Sequence, residues 1–152
     1  MELDVKTKLC VALLVLHIAI SFFTIIPGHL SQDETLYHLM TKNFIETGSF
    51  AIWNGYEEFP SAELVLGLTS VHNGRIVSQY PHLFPILAGP LYLFLGYRAL
   101  FLLNTVFFIG VVLLTYGICQ KLFKDKNMSL NACLILSLAT YAWEYSQAAW
   151  PH

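Results

Sequence analysis

Charge is what this sequence has least of. Asp, Glu, Lys and Arg make up 12% of its 152 residues, against about 25% in an average soluble domain. There is no basic excess either: 8 Lys and Arg against 10 Asp and Glu leave a net charge of −2, which excludes the electrostatic footprint of a nucleic-acid binder. Cysteines number three, Cys10, Cys119 and Cys133, with none between residues 27 and 98, so a disulfide framework is excluded and each thiol reads as a small apolar group. Internal repeats and low-complexity tracts are absent.

What is present is apolar: 56% hydrophobic and 14% aromatic residues, in blocks too long for a small soluble core. Leu9 to Ile26 carries no charge over 18 residues, about 27 Å as a helix, which approaches the hydrocarbon thickness of a bilayer. Lys6 and Lys8 precede it, but the block exceeds a usual leader h-region and Pro27-Gly28 offers no clean cleavage site. Ala99 to Cys119 gives a second block, and Leu130 to Trp150 a third that weakens at Glu144-Tyr145-Ser146-Gln147. The expected fold class is an all-α integral membrane domain: three transmembrane helices at 9–26, 99–119 and 130–150, and a structured outer first loop at 27–98.

Orientation follows from the basic residues, which are retained on the cytoplasmic side. Lys6 and Lys8 before the first span agree with Lys121, Lys124 and Lys126 between the second and third. The N-terminus is thus expected in the cytoplasm and residues 27–98 outside the membrane. Asn127-Met128-Ser129, a glycosylation sequon, falls on the inner side.

The outer loop holds six of the ten acids: Asp33, Glu34, Glu46, Glu57, Glu58 and Glu63. Ser31 with Glu34 forms a capping box, and Leu36, Tyr37, Met40, Phe44 and Ile45 recur at helical spacing until Gly48, which predicts an amphipathic helix on the membrane surface. β-branched residues flank Asn73-Gly74, a type I′ hairpin signal. Pro81 to Tyr97 is too short and too punctuated by Pro85, Gly89 and Pro90 to span, and reads as a juxtamembrane helix.

Several residues invite chemistry, each with a plainer alternative. Capping and the helix dipole account for Glu34. Asp33 is less fully explained by them, and a carboxylate fixed at an apolar boundary suits a general base for a hydroxyl acceptor. Glu144 is an acid within an expected span, either a cavity acid or a solvated helix end. Arg75 in the hairpin and Arg98 at the outer end of the second span are the outward arginines, able to pair with a phosphate; for Arg98 the alternative is interfacial anchoring. The six histidines match no metal-ligand spacing, so no metal site is assigned, and His17 reads as buried against a neighbouring helix.

Taken in order, one span, Gln32-Asp33-Glu34-Thr35-Leu36-Tyr37, a hairpin Asn73-Gly74-Arg75-Ile76-Val77-Ser78-Gln79-Tyr80-Pro81, Pro85-Ile86-Leu87-Ala88-Gly89-Pro90-Leu91-Tyr92, and Gly96-Tyr97-Arg98-Ala99-Leu100 entering the second span, the chain resembles the N-terminal part of GT-C membrane glycosyltransferases. The branch is that of the protein mannosyltransferases and aminoarabinose transferases. The likeness extends to Thr140-Tyr141-Ala142-Trp143-Glu144-Tyr145-Ser146-Gln147, similar to the third helix of bacterial members, which implies a bacterial inner or plasma membrane. It implies inverting transfer of a sugar from a polyprenyl-phosphate carrier, a lipid-linked substrate rather than a resident cofactor, to an acceptor on the outer face. It also implies Asp33 as general base with Glu34 beside it, Arg98 near the donor phosphate and Glu144 near the cavity. Members are several times longer, so the chain is expected to be an N-terminal part, and Tyr80-Pro81-His82 departs from the usual Tyr-Pro-Pro. A rival from another class is a small non-catalytic membrane protein whose outer loop binds a partner or lipid headgroup.

Overall fold

The computed structural model describes residues 5–24 and 31–149, and it is mostly helical. The expected end of the first span at 25 and 26, His29, and Trp150 to His152 lie outside the described residues. Six α-helices and three strands follow in the order α1 (Val5–Thr24), α2 (Gln32–Thr47), β1 (Ala51–Ile52), β2 (Thr69–His72), β3 (Arg75–Ser78), α3 (Leu83–Leu95), α4 (Arg98–Phe123), α5 (Lys126–Leu138) and α6 (Ala142–Ser146), with a 3-10 turn at Ala62–Leu64. They sort into two compact units, one of residues 5–24 and 101–148, the other of residues 31–100 and 149.

In the second unit, α2 starts where Ser31 Oγ accepts the Glu34 N–H and stops where the Gly48 N–H returns to Phe44 O. Beyond the cap, Asn43 Nδ2 donates to the carbonyls of Ser49 and Ala51 at 3.2 and 2.7 Å, which steers the chain into β1. The strands pair antiparallel in the order β1-β3-β2, with Ile52 opposite Ile76 and His72 opposite Arg75. Asn73 (φ +51°) and Gly74 (φ +75°) join β2 to β3, the two left-handed residues that a type I′ turn requires. β1 adds a third strand that the sequence did not signal, because two residues are too few to show alternation. One sheet face supplies Ile52 and Ile76 to a core with Leu36 and Met40, all at most 1% exposed, flanked by Leu39, Tyr56, Leu66 and Tyr80.

α3 packs on α2 with Phe84, Pro85, Ala88 and Gly89 buried and Ile86, Leu87, Leu93 and Phe94 exposed. Gly89 is the point of closest approach: a Cβ there would lie 2.9 Å from Ile45 Cδ1. At 13 residues the helix is about 20 Å long, short of a bilayer's ~30 Å core.

In the first unit, Phe108, Val112 and Cys133 form a core with Leu14, Tyr116, Leu136 and Ala142 packed around it. His17 is buried, stacked on Phe108 at 4.6 Å, with Nε2 2.7 Å from Ser146 Oγ. Thr105 Oγ1 reaches Ser146 O at 3.3 Å and Asn104 Nδ2 donates to Ala148 O at 2.6 Å.

Among the described residues one helix, α4, is long and apolar enough to cross a membrane; its 26 residues reach about 39 Å. α1 runs 20 residues and takes in Lys6 and Lys8. Over the third expected span, 130–150, the described residues form two helices, α5, of 13 residues, and α6, of five. At the interruption Thr140 Oγ1 donates to Leu136 O at 2.7 Å and accepts the Ala142 N–H at 3.2 Å, which gives the N–H at the start of α6 a partner. α5 also begins earlier than expected, at Lys126, because Asp125 caps it by accepting the N–H groups of Asn127 and Met128.

Candidate active site at the start of α2

The acidic pair occupies the first turn of α2, where the helix dipole favours negative charge. The two carboxylates have different surroundings. Asp33 Oδ1 accepts the hydroxyl of Tyr80 at 2.5 Å. Glu34 is 3% exposed, and its Oε1 accepts the Ala149 N–H at 3.3 Å. The backbone half of the expected capping box is made, Glu34 N–H to Ser31 Oγ at 3.2 Å, while the Glu34 side chain serves Ala149, giving a buried carboxylate a donor.

Tyr80 reaches Asp33 because several bonds fix the hairpin's exit. The Gln79 N–H bonds Leu68 O, the Tyr80 N–H bonds Ser78 Oγ, and Gln32 Nε2 donates to Gly67 O at 2.7 Å. The ring stacks on Tyr37 at 4.9 Å, and Phe84 meets Tyr37 edge-on. Burial, then the hydrogen bond to Asp33 and its charge, and finally Tyr37, push the Tyr80 hydroxyl up to about 12. Burial and then Asp33 also raise Tyr37. Tyr97 is raised as well, by burial and then by Glu34. These phenols remain neutral donors through the physiological range, which suits holding a carboxylate rather than titrating against it.

His38, one turn beyond Glu34, places Nε2 2.7 Å from Tyr92 Oη and packs against Tyr97 at 4.9 Å. α2 therefore presents two polar strips, Asp33 with Tyr37 and Glu34 with His38, each at i, i+4 spacing.

The other candidates are placed elsewhere. Arg75 on β3 puts Nε 3.5 Å from Glu57 Oε1 in an exposed pair. Arg98 is the exposed first residue of α4, and Glu144 is exposed in the first turn of α6. No group of three or more His, Cys, Asp or Glu side chains able to hold a metal ion occurs among the described residues. Tyr80 and Tyr37 went unrecognised as site residues. The i, i+4 spacing of Asp33 and Tyr37 was the available signal; for Tyr80, 47 positions from its partner, local sequence offered none.

Chemically, the arrangement is a carboxylate fixed by a neutral phenol beside a second, buried one, able to accept a proton from a hydroxyl brought within reach. In comparisons with protein-family models, curated proteins and solved structures, the chain matches none.

Proposed function

We propose that this chain belongs to a membrane glycosyltransferase of the GT-C type, moving a sugar from a polyprenyl-phosphate donor to a hydroxyl acceptor on the extracytoplasmic face. The observation that supports it most is the carboxylate of Asp33, oriented by the Tyr80 hydroxyl at the start of an amphipathic helix. In the reaction Asp33 takes the acceptor proton as the oxygen attacks the anomeric carbon. The bond from that carbon to the lipid phosphate breaks, and its electron pair leaves on the phosphate oxygen. Arg98 offsets the departing charge. Glu34, already bonded to the Ala149 N–H, keeps the helix start in place beside it. In this reading α1, α4 and the α5–α6 segment cross the bilayer with the N-terminus inside.

The exposed apolar residues of α3, among them Leu93 and Phe94 at 65% and 86%, favour a second reading in which the outer segment lies on lipid or a partner without catalysis. Asp33→Asn separates the two. Expressed in the full product of the gene and assayed in membranes with polyprenyl-phosphate sugars, it should lower transfer by roughly 10²- to 10⁴-fold, the usual contribution of a general base. Transfer at the wild-type rate would remove Asp33 from the chemistry.

A further inference from the structure

A depression of about 560 Å³ opens on the second unit between α2, the end of β1 and the hairpin. That volume lies within the ~300–1,000 Å³ typical of small-molecule sites. Strand alternation creates its floor: Ile52 turns into the core at 1% exposure, so Trp53 turns outward and is 57% exposed. The indole N–H donates to Glu58 Oε1 at 3.1 Å, which fixes the ring where it stands. Around it stand Lys42, Asn43 and Glu46 from α2, and the ion pair of Arg75 with Glu57.

With Glu58, which holds the indole, three carboxylates stand against two cations, so the site is negative by one charge and has no pull on a phosphate. What it offers is donors and acceptors side by side. Lys42 and Arg75 only donate and Glu46 and Glu57 only accept, while Asn43, its nitrogen engaged with Ser49 and Ala51, keeps a carbonyl oxygen as acceptor. Vicinal hydroxyls, each both donor and acceptor, are the ligand chemistry this pattern matches, and a bare indole complements the C–H face of a pyranose ring.

We infer that this depression is a saccharide-binding subsite with Trp53 as its platform. Lys42 to Glu46 lie nine to thirteen positions beyond Asp33, roughly 14–20 Å along the helix axis, so one sugar ring cannot touch both. The subsite would engage a ring of an oligosaccharide distant from the reacting one, and it stands whether or not Asp33 acts as a base.

The test is saturation-transfer NMR on the full chain held in a polyacrylate amphipol, which carries no sugar, with maltotriose, mannotriose and chitotriose as probes. Ring-proton signals are expected from at least one probe. They should fall at least fivefold in Trp53→Ala, return largely in Trp53→Phe, weaken about threefold in Glu46→Gln by loss of an acceptor's charge, and persist in Asp33→Asn. Because Trp53 and Glu46 are exposed, neither variant removes core packing. No signal from any probe overturns the inference, as do equal signals in wild type, Trp53→Ala and Glu46→Gln. Signal from phosphocholine alone also overturns it and makes the depression a zwitterionic headgroup site.

Discussion

Tyr80 donates its hydroxyl to Asp33 across 47 positions of sequence, joining the exit of a β-hairpin to the first turn of a helix. The contact accounts for two properties at once. Asp33 is held in one orientation, and the Tyr80 proton is held by a negative neighbour in a half-buried setting, which pushes the phenol up to about 12 from its ordinary ~10.

This gives a dependence on alkaline pH with a definite sign. The folded chain holds the Tyr80 proton more tightly than the unfolded chain does, so the associated stability is fully present below pH ~10 and is lost as pH rises through about 12. Asp33→Asn removes the charge but leaves the burial, the largest cause, so ionisation should move part of the way back toward ~10. Ultraviolet difference titration, with Tyr80→Phe to assign the signal, measures it. An unchanged titration in Asp33→Asn would break the link between the two residues.

How far the sequence reveals the fold depends on the range over which each feature is encoded. Ser31 and Gly48 bounded α2, and Asn73-Gly74 marked the turn joining β2 to β3, because caps and tight turns are written in adjacent residues. Features encoded at a distance were not legible. Glu34 serves Ala149 rather than completing the capping box, Tyr80 finds Asp33, and two-residue β1 pairs with β3, 24 or more positions away. The interruption after α5 was misread for a different reason. Hydropathy averaged over residues 130–150 reports apolar content, not whether the backbone stays helical from Leu138 to Ala142.

The close approach of α3 to α2 can be probed at Gly89. In Gly89→Ala the new methyl meets Ile45 Cδ1 at 2.9 Å, the tip of a flexible side chain, while the helix gains up to about 1 kcal/mol in propensity. The two effects should nearly cancel. Gly89→Leu adds three more carbons at the same point and should cost about 1–3 kcal/mol by overpacking. Thermal unfolding in detergent distinguishes them; equal losses for both would mean that Ile45 cannot move.

Within the first unit, the His17–Ser146 bond is a buried link between α1 and α6. His17→Ala forfeits that bond and the stack on Phe108, and should destabilise by roughly 2–4 kcal/mol, while Ser146→Ala should cost about 1–2. The double variant should be less destabilised than the sum by about 1 kcal/mol, the net worth of one hydrogen bond. Strict additivity in denaturant unfolding would show that the bond contributes nothing.

Orientation can be tested at two asparagine positions. Asn127 sits in the first turn of α5, its N–H bonded to Asp125 Oδ1 at 2.7 Å, and the proposed topology keeps it inside, away from glycosylation machinery. Leu68 is 49% exposed with φ +59°, a left-handed conformation that asparagine adopts more readily than leucine. Leu68→Asn creates the triplet Asn-Thr-Ser with Thr69 and Ser70, in the segment proposed to lie outside. Produced in a eukaryotic secretory membrane, wild type should show no glycosidase-sensitive shift, whereas Leu68→Asn should show one that persists when Asn127→Gln is added. A shift in wild type that Asn127→Gln abolishes would invert the topology and place the acidic pair in the cytoplasm, where an extracytoplasmic acceptor could not reach Asp33.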